Sequence, residues 1–80
     1  MYTVKYLGDA VEEVPDLPLA GMNALAGLLA AMQLVPWNFA DPAAGNMPTV
    51  TFGPNGEGLA TILIWDDDLT LNVTKVQWAG

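Results

Sequence analysis

The chain holds few residues able to do chemistry. Among its 80 residues there is no histidine, no cysteine and no arginine, and the only side-chain cations are Lys5 and Lys75. Without histidine, the usual proton-transfer group near neutral pH is missing. Without cysteine, neither a thiolate zinc site nor a disulfide framework is available. No cofactor or metal is called for. Asp66-Asp67-Asp68 supplies hard oxygen ligands of the kind that Mg²⁺ or Ca²⁺ takes. Successive side chains diverge in an extended segment, however, and a metal loop spaces its ligands with glycine. The run therefore reads as a solvated hairpin turn that discourages strand-to-strand aggregation. Gly53-Pro54-Asn55-Gly56-Glu57-Gly58 is as glycine-rich as a phosphate cradle but lacks the GK[ST] ending and opens a strand, so it reads as a hairpin loop. Glu57 is the one carboxylate in it able to act chemically, and as a lone glutamate without a histidine partner it also fits a plain exposed residue.

The aromatic residues form the other constellation. Trp37, Trp65 and Trp78, with Phe39 and Phe52, suit either an interface, where tryptophan concentrates binding energy, or the filling of a small core. Trp37 and Trp78 are expected to be the more exposed pair, and Tyr2 and Tyr6 to pack on the long helix with their hydroxyls at the edge.

The elements that position these residues follow from pattern. Met1 to Leu7 alternates Tyr2, Val4 and Tyr6 with Thr3, Lys5 and Leu7, as a strand with one buried face does. Gly8-Asp9 breaks it. Asp9 with Glu12 three residues on predicts a capped short helix to about Val14, which Pro15 closes. Asp16 is the expected cap of a second helix reaching about Leu34, with Pro18 tolerated in its first turn. Met22, Leu25, Leu28, Leu29 and Met32 form its apolar stripe, while alanines make most of the remaining surface small. Three prolines, Gly45, two asparagines and Asp41 mark residues 36–48 as a loop pinned by Trp37 and Phe39. Thr49–Phe52, Leu59–Trp65 and Leu69–Trp78 then read as three strands of an antiparallel meander. In the last, Leu69, Leu71 and Val73 share a face but Val76 and Trp78 fall on the other, which predicts a β-bulge near Thr74-Lys75 or packing on both faces. The sum is a single α+β domain over residues 1–80.

Composition narrows the function. Apolar residues are 52% and charged residues 14% of the chain, too hydrophobic for disorder and lightly charged for a monomer surface, which points to apolar surface in an interface. A chain this short buries only about 60% of its unfolded surface, so a partner or a dimer would help it. The net charge of −7 opposes phosphate contacts, so neither nucleic acid nor an anionic membrane surface is an expected partner. No signal segment is apparent at the N-terminus, and Pro36 interrupts the apolar run from Ala24 to Val35 well short of a span, so a cytoplasmic location is expected.

The order strand, short helix, long helix, Pro-Trp loop, three-strand meander resembles that of the RelE/ParE toxin superfamily. Tyr2-Thr3-Val4-Lys5-Tyr6, Asp9 to Val14 and Leu17-Pro18 are similar to its first strand and first helix. Val35-Pro36-Trp37, Phe52 to Thr61 and Val76-Gln77-Trp78 resemble a group of small RelE-like proteins from actinobacteria. The likeness is weakest over Asn38 to Met47. It implies a RelE-like β-α-α-β-β-β fold with two N-terminal helices on an antiparallel meander sheet, and an antitoxin helix as partner. In the ribonuclease members, Arg and Lys orient phosphate and a C-terminal Tyr or His moves the proton. Here the strand arginine falls near Leu59 or Ala60, Lys75 stands about where a last-strand arginine would, and Trp78 where a terminal histidine would. The resemblance thus implies a degenerate protein acting through protein contacts, with Trp37, Phe39 and Trp78 at the interface. Two alternatives stand beside it: a ribosome-dependent mRNA interferase using Lys75, Glu57 and a tyrosine, and an orphan domain that homodimerises.

Overall fold

The computed structural model describes residues 1–40, 43 and 45–80. The alternating N-terminal segment is a strand, β1 (Thr3–Tyr6), and a single helical turn, α1 (Ala10–Glu13), follows it after Gly8 turns the chain at φ 56°. The expected Asp9–Glu12 capping box does not form. Asp9 is itself in helical conformation, its side chain makes no cap hydrogen bond, and Lys75 takes its carboxylate instead.

Helix α2 (Leu19–Leu34) ends where its pattern ends, but its cap is Pro18 and not Asp16. The reason is local: a residue before proline is held out of the helical region, so Leu17 cannot serve as a first helical residue. In the loop after α2, Pro36–Phe39 forms a short 3₁₀ helix. Asp41, which belongs to the expected loop signature, lies outside the described residues together with Pro42 and Ala44.

Strands β2 (Thr49–Phe52), β3 (Gly58–Trp65) and β4 (Thr70–Trp78) form the expected antiparallel meander. The sheet as a whole is nevertheless mixed, which corrects the expectation of an antiparallel one. Its order is β1-β4-β3-β2, and β1 lies parallel to β4, with Val4 opposite Leu71 and Tyr6 opposite Val73. Pairing with β3 leaves one edge of β4 open, and the long connection between β1 and β4 supplies the crossover that a parallel neighbour requires. The phase change in β4 is a bulge: Thr61 faces Lys75 and Ile62 faces Val73, so Thr74 is left over, its hydroxyl donating to the Thr61 carbonyl at 3.1 Å.

The bulge brings Val76 back to the face that α2 covers. There Leu25, Leu28, Leu29 and Met32 of α2 meet Ala60, Ile62, Ile64, Leu71, Val73 and Val76 in one core. Met22, the first residue of the stripe, stays exposed. On the opposite face of the sheet Thr3, Lys5, Thr51, Leu59, Lys75 and Gln77 are exposed. Among the described residues no helix is long and apolar enough to cross a membrane.

Candidate functional site

Strand β1 pairs with β4 only as far as Val73, where Leu7 donates its N–H at 2.9 Å. Beyond that point α1 lies along the β4 edge and Glu13 covers it, one carboxylate oxygen accepting the Val76 N–H at 2.8 Å. This is a side chain standing in for a missing strand, a common protection of an exposed edge. The other oxygen of Glu13 sits 3.6 Å from the Lys75 ammonium, and Asp9 approaches the same ammonium at 3.5 Å. Lys75 is therefore held by two carboxylates one helical turn apart.

Glu57 is not brought to Lys75. It sits in the β2–β3 hairpin, where its carboxylate accepts the Asn55 N–H at 2.7 Å and its carbonyl accepts the Ala79 N–H at 3.0 Å. The carboxylate closes the turn, and the carbonyl extends the β3–β4 pairing by one rung. Of the two positions where a phosphate-binding arginine would be looked for, Ala60 is fully buried beneath α2 and Leu59 lies on the open face.

Trp78 is half-buried, which corrects its expected place in the exposed pair. Its ring stacks on Phe52 with centroids 5.6 Å apart, and it fills a slot left by two glycines. A Cβ on Gly21 would come within 3.1 Å of the indole, and one on Gly53 within 3.2 Å. Phe39 is likewise partly buried against the core. The exposed tryptophans are Trp37 and Trp65, at 45% and 44%. Of the two tyrosines, Tyr2 is packed against the core, whereas Tyr6 is exposed beside α1 with Val11, Val14 and Pro15.

The described residues that converge most closely around one polar group do so at the β3–β4 turn. Asp66 accepts the Tyr2 hydroxyl at 2.5 Å and the Trp37 indole N–H at 3.2 Å from each of its oxygens. Tyr2 is positioned from behind: it donates its N–H to the Gln33 carbonyl, and Gln33 donates back to the Tyr2 carbonyl. The bond to Asp66 raises the Tyr2 pKa above its ordinary value, because ionising the phenol would break that bond and set a second negative charge beside the carboxylate; partial burial adds to the shift. Beside this group lies an open cleft of about 210 Å³, lined among the described residues by Trp37, Trp65, Asp66, Asp67, Asn46 and Ile64. Its lining sets two carboxylates beside two exposed indoles.

This grouping was not legible beforehand. Asp66 was one of three aspartates in a turn, and its partners stand 64 and 29 residues away. The Lys75 pairing had a signal: Asp9 and Glu13 are four apart, so a helix puts both on one side. No family model matches the chain, and no match to it was found among curated proteins or solved structures.

Proposed function

We propose that the chain is a RelE-like protein whose ribonuclease chemistry has been lost and that it acts through contacts with another protein. The observation that carries this reading is the state of Lys75. It is the one cation at a position where the toxins would place an arginine, and it is spent on Asp9 and Glu13. Further support comes from the order of elements, from Leu59 and Ala60 in the strand where phosphate would bind, and from Glu57 being committed to its own turn. The exposed Trp37 and Trp65 and the charge of −7 supply a surface suited to a basic protein partner.

Expression of the wild-type chain and of Lys75→Ala in growing bacterial cells tests the reading. Neither is expected to arrest growth. Arrest by the wild type that disappears in Lys75→Ala would show phosphate chemistry at that ammonium and overturn it.

A further inference from the structure

We propose that the cleft between Trp37 and Trp65 receives the guanidinium of an arginine on a basic partner protein. The inference rests on the reading that the chain works through protein contacts, and it adds the place and the chemistry of the contact. Two exposed indoles line the cleft together with two carboxylates. Indole attracts cations through its ring quadrupole, and a carboxylate pairs with a guanidinium fork. Arginine is the side chain that uses both at once, since its planar group stacks while its N–H groups reach sideways.

The cleft is built before a ligand arrives. Asp66 is oriented by Tyr2 and Trp37, and its two oxygens retain accepting capacity beyond those bonds. The buried Ile64 is held by Asn46 through both backbone groups: its N–H donates to the Asn46 carbonyl at 2.7 Å and its carbonyl accepts the Asn46 amide at 3.3 Å. Asp67 makes no hydrogen bond or ion pair among the described residues, and its charge is free for a ligand. Nor do the chain's own cations neutralise the turn, because Lys75 is engaged by α1 and Lys5 lies in β1 opposite Asn72. The charge of −7 favours a basic protein over an anionic lipid or a nucleic acid.

The test is a titration of the full chain with a short arginine-rich peptide, a lysine-rich peptide of equal charge and an acidic control, followed by tryptophan fluorescence. Saturable binding is expected for the arginine peptide, several-fold tighter than for the lysine peptide. Asp67→Asn, at an exposed position where folding is not at risk, should weaken it roughly fivefold, the scale of one exposed ion pair. Trp65→Leu should weaken it by a similar factor, about fivefold, through loss of the ring. The proposal is overturned if no saturable binding occurs, if both peptides bind equally, or if both variants bind as tightly as the wild type, since diffuse attraction to an acidic chain would then suffice. A chain that binds no peptide and does not arrest growth loses this cleft but keeps the non-catalytic reading; Lys75-dependent arrest removes that reading whatever the peptide does.

Discussion

Asp66 shows how much a single carboxylate does in a chain with few polar groups. It ties the N-terminal strand, through Tyr2, and the loop after α2, through Trp37, to the turn before β4. Because the folded-state pKa of Tyr2 is raised, the linkage has a definite sign. Its contribution to stability is fully present below the ordinary tyrosine value of about 10 and is lost as pH climbs through the higher folded value. In a Tyr6→Phe background, where Tyr2 alone reports, tyrosinate absorbance is expected to rise at a higher pH than for free tyrosine. Asp66→Asn should bring it back toward the ordinary value. Identical titration curves for the two proteins would show that the carboxylate is not the cause. Lys75 is the opposite case: its two carboxylate partners, Asp9 and Glu13, come from either end of α1 and not from the strand that carries it.

Helix α2 contains two glycines with different work to do. A methyl group at Gly21 would press on Trp78 at 3.1 Å, so that the indole must give by a few tenths of an ångström, whereas a Cβ at Gly27 would meet nothing within 4 Å. Replacing a helical glycine by alanine in open space stabilises by about 1 kcal/mol through reduced backbone freedom and better propensity. Gly27→Ala is therefore expected to raise the urea midpoint, and Gly21→Ala to give no gain, because the indole must shift. Equal gains from both would mean that the Trp78 slot is not tight. The same contrast explains why Trp78 went inside: at two places the backbone offered a surface without side chains.

Taken whole, the molecule has a radius of gyration of 11.6 Å, about what a compact chain of this length should have by the general scaling of about 12 Å. Its core nevertheless depends on one layer of helix over one face of the sheet, with Met32 fully buried at the centre. Met32→Ala removes that contact from both layers and is expected to cost roughly 2–5 kcal/mol. For a domain whose total stability lies near the low end of about 5–15 kcal/mol, this is enough to populate the unfolded state in dilute urea, as circular dichroism would register. A loss under about 1 kcal/mol would show that the core can collapse around the gap. Among the described residues no buried side-chain nitrogen or oxygen lacks a partner, so the weakness of the fold lies in its thin core and not in unpaired polar groups.

Local patterns in the sequence were enough to determine the strands, the C-terminal end of α2 and the meander, and they left the phase change in β4 open between a bulge and packing on both faces, because each of these depends on side-chain period and turn chemistry over neighbouring residues. The cap of α2 was legible in principle and misread, since Pro18 restricts Leu17 more strongly than Asp16 attracts a helix. Only the tertiary structure decided that β1 runs parallel to β4, that Trp78 is half-buried and Trp65 exposed, and that Asp66 gathers Tyr2 and Trp37 while α1 takes Lys75. Each of these is a contact between segments far apart in the chain. It depends on which edge of a strand remains open and which glycines leave room for a ring, and neither is encoded in the spacing of nearby residues.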